Sequence, residues 1–472
     1  MPIPSPPPPP AVLEFAASRR IALVVAAAFF MEQLDGSIIV TALPAIASGF
    51  GSTVLAAGSG VTAYLLAMTV FVPASGWLTD RVGARRLFAS AVGVFTLASL
   101  ACGLAPSLAT FIGARVLQGA AAAFMSPVGR VVVLRETPKN RLIEAVATLT
   151  WPALIAPVLG PPLGGFIVGH ASWRWIFFLN LPLGAIGMAL ILRLLDERPR
   201  PARVRLDIPG FALTALGLAG TIQGLSMLGE HGSATVAVAL SLAGIACLAW
   251  AVVHARRTDG ALLDLRPLAV QSFVVSTVTA GFLSRIAINA APFLLPLMFQ
   301  VGFGLSPLEA GSLVLVYMAG NLVMKTVTTR TIRRFGFRNV LVFNGALCAA
   351  SLLACGFLVP GSPKVLVASV LFFAGAVRSL NFSAVNTLAF VDIHDAQRAS
   401  ASALATMLQQ ATMALAVAVA TLALTASQQW HAGRALELRD FQAAWFTVAA
   451  IMVLAAAGSM RLAAQAGSDA TR

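Results

Sequence analysis

The chain has 472 residues, 58% of them hydrophobic and 11% charged, and a mean hydropathy of +0.87. Ordinary globular domains are about 45–50% apolar and about 25% charged, so a water-soluble chain with so little charge could not cover its own surface. Disordered chains are poor in the apolar residues abundant here. What remains is an all-α protein that crosses a bilayer many times.

In chain order, residues 1–18 read as a disordered, proline-rich tail that opens MPIPSPPPPP and is extended and solvated. Fourteen apolar runs follow, each near the ~20 residues that a spanning helix needs: 21–43, 60–78, 87–105, 108–130, 145–168, 173–194, 208–228, 234–254, 270–298, 308–328, 339–358, 365–389, 400–425 and 441–463. The first follows Arg19 and Arg20 as a signal peptide would, but it carries Glu32 and Asp35 and has no small-residue cleavage site.

Charge between the runs sets the orientation. Alternate connections and both termini hold 23 of the 32 Lys and Arg residues, among them Arg81, Arg85, Arg135, Lys139, Arg198, Arg203, Arg256, Arg333 and Arg398. The opposite connections hold four, Arg174, Lys364, Arg434 and Arg439, and five lie within runs. Fourteen spans with both termini cytoplasmic follow. The net charge of +14 is therefore loop asymmetry, with no basic domain for nucleic acid. The connection GWLTDRVGARR (Gly76–Arg86) is echoed by TRTIRRFGFRN (Thr329–Asn339), with a shared Arg-x-Gly-x-Arg core. That repeat predicts two six-helix halves, 19–200 and 261–465, around an inserted pair at 201–260, with a tail at 466–472.

Ionisable residues inside spans are costly and mark function. Glu32 and Asp35 share a face of the first span. Asp35 lies ~13 Å and Arg115 ~10 Å from the outer ends of their helices at 1.5 Å per residue, which predicts an ion pair. Burial raises a carboxyl's pKa and a nearby arginine lowers it, so a site alternating between the two can take and release a proton. Glu32, Asp35 and Arg115 are thus the proton-coupling candidates. In the other half Arg285, with Asn289 four residues on, and Arg378, with Asn381 and Asn386 beyond it, stand mid-span without an acid. Lys325 can snorkel to the cytoplasmic surface, and Arg130 belongs with the nearby basic loop. Arg285, Asn289, Arg378, Asn381 and Gln118 are expected at a substrate cavity.

No lysine follows a glycine, so a phosphate-binding loop is absent. The five histidines fall in loops or at span ends, and the four cysteines lie in apolar stretches without a CxxC pair. No cofactor, metal or catalytic residue is expected.

The loop GWLTDRVGARR resembles the loop signature of the major facilitator superfamily. LDGSIIVTALP (Leu34–Pro44) is similar to the first-helix signature of its fourteen-spanner drug:proton antiporter family, RVLQGAAAA (Arg115–Ala123) to the fourth-helix motif, and GPPLGG (Gly160–Gly165) to the antiporter motif of helix five. SWRWIFFLNLPLG (Ser172–Gly184) suits the start of helix six, and QVGFGLSPLEAG with the segment around Lys325 resembles the EmrB and MdtD types. The resemblance covers essentially the whole chain. It departs where the family commonly has glutamine at Glu32 and glycine at Ala156.

The resemblance implies a proton-coupled exporter of drug-type small molecules in the inner membrane of a bacterium, working by alternating access, with an adaptor protein on the periplasmic side as a further partner to test. Gly76, Asp80, Arg81, Gly83 and Arg85 would form a conformational latch in which Asp80 pairs with Arg81 or Arg85. Gly160, Pro161, Gly164 and Gly165 would seal the path between the halves. Unmatched Arg285 and Arg378 raise an alternative, export of an anionic metabolite such as an organic carboxylate or its metal chelate. A channel and a membrane-embedded enzyme are the rivals from other classes.

Overall fold

In hydrocarbon every backbone N–H and C=O must be satisfied within the chain, which forces long apolar runs into helices. The computed structural model describes residues 11–137, 141–195, 206–228, 234–258, 260–394, 397–431 and 435–463. The segment 1–10, the tail 466–472, His231 and the basic residues Lys139, Arg198, Arg200, Arg203, Arg205, Arg434 and Arg472 lie outside the described residues.

The helices are α1 (Ala11–Gly49), α2 (Val54–Phe71), α3 (Ser75–Val82), α4 (Ala84–Leu104), α5 (Leu108–Glu136), α6 (Leu142–His170), α7 (Trp175–Phe178), α8 (Asn180–Leu194), α9 (Ile208–Leu228), α10 (Ala234–Arg257), α11 (Gln271–Thr277), α12 (Ala280–Leu297), α13 (Pro307–Asn339), α14 (Gly345–Gly356), α15 (Lys364–Val391), α16 (Arg398–Trp430) and α17 (Leu438–Ser459). Among the described residues, thirteen helical stretches are long and apolar enough to cross a membrane. One, Pro307–Gly356, has 50 residues, ~75 Å of helix against a hydrocarbon core ~30 Å thick. It breaks at Gly336, which takes φ 74° and ψ 160°.

Gly336 is the central glycine of the second Arg-x-Gly-x-Arg core, and Gly83, centre of the first, takes φ 94° and ψ 141° between α3 and α4. Both loops therefore use a backbone region that side chains avoid. Gly76 plays no such part, since it sits inside α3 with open space where a Cβ would be.

The structure adds two features to the repeat. Tyr64 precedes Gly83, and Tyr317 precedes Gly336, by the same 19 residues. A Cβ on Gly119 of α5 would meet the Tyr64 carbonyl oxygen at 2.2 Å, and one on Gly375 of α15 the Tyr317 carbonyl at 1.9 Å. Each glycine lets two helices touch backbone to backbone, α5 on α2 and α15 on α13.

Helices α1–α8 pack chiefly on one another, as do α11–α17, and α9 lies against both α2 and α16. The apolar cores are distributed unevenly along the bundle. Toward the end where α1 meets α2, one cluster spans both groups, from Ile38, Leu43 and Phe111 to Phe293, Phe299 and Trp445. Toward the opposite end the cores separate, one holding Phe29, Phe88 and Val132 and the other Ile332, Phe337 and Leu388. There α2 and α16 remain in touch, with Gln410 Nε2 donating to Met68 Sδ at 3.3 Å.

At that same end Asp207 ties the inserted pair to its linker. It accepts from the Gly210 N–H at 2.9 Å, the Leu262 N–H at 3.0 Å and His254 Nε2 at 2.8 Å. Burial alone would raise its carboxyl, but these donors together outweigh burial and hold it below the ordinary carboxylate range.

The contacts at Gly119 and Gly375 can be tested by overfilling them. Gly119→Ala and Gly375→Ala should each cost about 1–3 kcal/mol and lower the thermal midpoint of the purified protein. Gly113→Ala, at a position with nothing within 4 Å, should leave the midpoint unchanged.

Candidate functional site

A carboxylate buried at membrane depth needs a counter-charge and donors for its lone pairs. Asp35, 2% exposed in the middle of α1, has both. Arg115 Nη1 on α5 donates to its Oδ2 at 2.6 Å, an ion pair with both side chains at most 1% exposed. Gln118 Nε2 and Asn180 Nδ2 donate to Oδ1, each at 2.9 Å. Both amides also donate to Ser99 Oγ on α4, at 2.8 and 3.2 Å. Arg115 is held in turn by the Gln118 side-chain carbonyl at 2.6 Å and by the Tyr64 ring, whose centroid lies 4.2 Å from its guanidinium carbon. One buried network thus joins α1, α2, α4, α5 and α8.

The sequence reading placed Asp35 and Arg115 correctly at matching depth. It set Gln118 at the substrate cavity, whereas the structure buries it completely in this network. It missed Asn180, Ser99 and Tyr64. Asn180 is the one amide in the apolar run WIFFLNLPLG, and that was the signal available.

Glu32, one turn from Asp35 toward the end where the cores separate, is 3% exposed. Ser126 Oγ of α5 donates to its Oε2 at 2.8 Å. Arg130 is close enough to act on it electrostatically, so its role extends beyond the basic loop.

The antiporter motif packs α6 on two helices. A Cβ on Gly160 would strike Ser37 Oγ at 2.1 Å, and one on Gly164 the Ile38 carbonyl at 2.8 Å. Gly165 lies against the Pro307 carbonyl, and the Pro161 carbonyl lies against Gly311 of α13. With Gln300 Nε2 donating to the Thr41 carbonyl at 2.9 Å, these contacts close the α1–α2 end. Ala156, where glycine was expected, is buried, and its carbonyl accepts from Ser37 Oγ at 3.4 Å.

In the second group the arginines and asparagines pair crosswise rather than along one helix. Arg285 Nη2 of α12 donates to Asn386 Oδ1 of α15 at 2.7 Å, and Arg378 Nη2 of α15 to Asn289 Oδ1 of α12 at 3.4 Å. Arg285, 1% exposed, reaches back to the Ser276 carbonyl at 2.8 Å. That carbonyl is free because the helix breaks after Thr277, and Gly281 lets the chain pass close to it. Asn381 is buried and accepts from Ser284 Oγ at 2.5 Å. Arg378 and Asn289 are half-buried, so of the five residues expected at a cavity only these two keep exposure.

The expected pairing of Asp80 with Arg81 or Arg85 is not formed. Arg81 lies over the Trp77 ring at 5.3 Å, and Arg85 Nη2 donates to the Leu192 carbonyl in the last turn of α8. A helix C-terminus with unsatisfied carbonyls attracts a cation as an acid would.

Breaking the Asp35 network should be read first as instability. Arg115→Ala leaves a buried carboxylate without its counter-charge and should cost about 3–5 kcal/mol. Asn180→Ala removes one donor and should cost about 1–3 kcal/mol. Thermal unfolding of the purified variants should rank them in that order.

Comparison with known proteins agrees with this architecture. Residues 25–417 match the family model described as Major Facilitator Superfamily. A protein of Serratia proteamaculans named "Putative multidrug resistance protein MdtD" is 40% identical over 395 residues, 83% of this chain and 82% of that one. Proteins of the same name from Yersinia enterocolitica and Salmonella paratyphi B are 38% and 36% identical, covering 84% and 91% of both chains. Among solved structures, an auto-inhibited POT family peptide transporter (TM-score 0.66, 17% identity, covering 93% of this chain and 96% of that one) and a D-xylose-proton symporter (TM-score 0.65, 15% identity, 94% and 97%) share the fold. The chain is a multi-pass membrane transporter rather than an enzyme, and it belongs to the major facilitator superfamily.

Proposed function

We propose that this transporter exports small molecules across the inner membrane of a bacterium in exchange for protons, by alternating access. The observation that carries the reading is two carboxyls buried one turn apart at mid-depth in α1, Asp35 paired with Arg115 and Glu32 bonded by Ser126. The relatives' names favour drug-like cargo. The break at Gly336 favours reading Pro307–Gly356 as two crossings, which gives fourteen spans, two six-helix halves around α9 and α10, and both termini cytoplasmic. On that topology the closed α1–α2 end faces the periplasm, and the end with separated cores faces the cytoplasm. Gly83, Arg81, Arg85 and Asp80 then lie where the halves part, and Gly160–Gly165 lies in the seal. An adaptor protein on the periplasmic side would dock outside the described contacts.

A pH gradient should drive accumulation in reconstituted vesicles by the wild type and not by Asp35→Asn. Full gradient-driven transport by a folded Asp35→Asn would remove Asp35 and its pair with Arg115 from the coupling machinery.

A second reading, export of an organic anion or its metal chelate, is favoured by the repeat. Asp35 stands 29 residues before Tyr64, and Ile288 the same distance before Tyr317, so Asn289 falls within one residue of the matching place. The second half thus keeps an arginine, Arg378, beside its tyrosine but offers an asparagine where the first half has a carboxylate. Lys325 adds a second positive charge close enough to repel Arg378. Among the described residues from α11 to α17 the acids, Glu309, Asp392, Glu437 and Asp440, all stand at helix ends. An anionic cargo would supply the missing charge through arginine's planar fork. Arg378→Ala should then lower carboxyfluorescein export about tenfold or more while ethidium export changes little. Equal losses for both probes would rule this reading out.

A further inference from the structure

The two carboxyls of α1 do not have equal freedom, and their difference lies in hydrogen bonding rather than in sequence. Both oxygens of Asp35 are occupied by N–H donors from three side chains, one of them the Arg115 guanidinium. A proton added to Asp35 would have to displace one of those donors and would leave Arg115 as an uncompensated buried cation. Gln118 and Asn180 are each fixed a second time by Ser99 Oγ, so neither amide can turn away without losing another bond. Among the described residues Glu32 has one donor, the Ser126 hydroxyl, and a hydroxyl can accept as readily as it donates. No cation lies within ion-pair distance of Glu32 among the described residues. It is also ~4.5 Å nearer than Asp35 to the end where the two cores separate, by three residues of helix rise.

We infer that Glu32 is the proton-exchanging group of this transporter and that Asp35 is a permanently charged positioning residue that holds α1 to α5 and α8. The inference rests on the proton-coupled reading above and divides its labour. Every step balances as a simple proton transfer. In one state Glu32 carries the proton and donates to, or accepts from, Ser126. In the other the proton leaves to water on the open side, and the carboxylate keeps the Ser126 donor. The charged and titratable groups that face it are Arg130 on α5, Asp35 on its own helix, and Tyr64 on α2. Arg130, exposed at the parting end, compensates the charge once the proton has left, and Asp35 opposes it.

The test reads the carboxyl directly, without knowing the cargo. Infrared difference spectra of the purified full-length protein in lipid nanodiscs are taken across a pH titration. The wild type should show a protonated-carboxyl C=O band that appears and disappears with pH. Glu32→Gln, which is nearly isosteric and keeps a partner for Ser126, should lack that band and keep the wild-type melting temperature. Glu32→Asp should restore a titrating band at a shifted midpoint. A band unchanged in Glu32→Gln, or absent from the wild type, overturns the assignment. Vesicles separate this result from the broader reading. If ethidium or carboxyfluorescein moves without any proton movement in the wild type, proton coupling itself fails, whatever the infrared shows. If the wild type is coupled, Glu32→Gln should lose at least about tenfold of the proton flux while still exchanging labelled for unlabelled probe. Coupled flux at the wild-type level in Glu32→Gln also overturns the assignment.

Discussion

The architecture turns on a single charge in hydrocarbon. An ionised carboxylate at mid-depth is tolerated only with a counter-charge and a filled coordination of donors. Asp35 recruits these as three side chains from two other helices, and each donor is then fixed by a further partner. Gly60 offers its carbonyl to Arg115 Nε at 3.4 Å, the Tyr64 ring covers the guanidinium face, and Gly119 removes the side chain that would hold α5 off α2. The group α1–α8 is therefore tied together by a polar knot inside an apolar bundle. In lipid such a knot sets helix register where hydrophobic matching alone would not, because lipid tails are as apolar as leucine.

The second group shows what remains of that plan without the acid. Tyr317 and Gly375 occupy the places of Tyr64 and Gly119, and the same tight backbone contact is made, but the arginine is displaced, Arg378 standing three residues after Gly375 where Arg115 stands four before Gly119. The acid's place falls to Asn289, whose 3.4 Å bond to Arg378 is long and carries no charge. Arg378 accordingly remains half-buried and turned to polar neighbours, whereas Arg115 is sealed. The first group thus holds a completed ion pair, and the second a half-buried arginine whose partner is a neutral amide.

Much of this was legible in the sequence, for physical reasons. Charge alternation and run length gave the helices, and helix rise put Asp35 and Arg115 at one depth. The repeated Arg-x-Gly-x-Arg core marked two loops whose glycines both adopt positive φ. What the sequence did not show was which side chains cross between helices. Spacing of four suggested Arg285 with Asn289, but the break after Thr277 exposes a carbonyl that draws Arg285 the other way, toward Asn386. Asp80 looked paired because arginines flank it, yet the nearest attraction for Arg85 is a helix terminus from a distant part of the chain. Asn180 stands inside an apolar motif with nothing local to mark it, because its partner is 145 residues away.

The uneven distribution of cores links the polar knot to movement. Where one apolar cluster spans both groups, separating them exposes Phe293, Phe299 and Trp445 together with the backbone contacts at Gly165 and Gly311. Close packing of that kind resists gradual deformation and gives way between discrete arrangements. At the opposite end the groups have separate cores, and α2 meets α16 there through Val70, which packs on the cluster of Leu404 and Met407. The knot around Asp35 lies wholly within the first group and can survive either arrangement. Ser37 and Ile38, which follow it directly on α1, belong to the seal through Gly160 and Gly164. A change of charge one turn below Asp35 thus acts on the same rigid helix that closes the far end, over a span short enough for α1 to carry it as a unit.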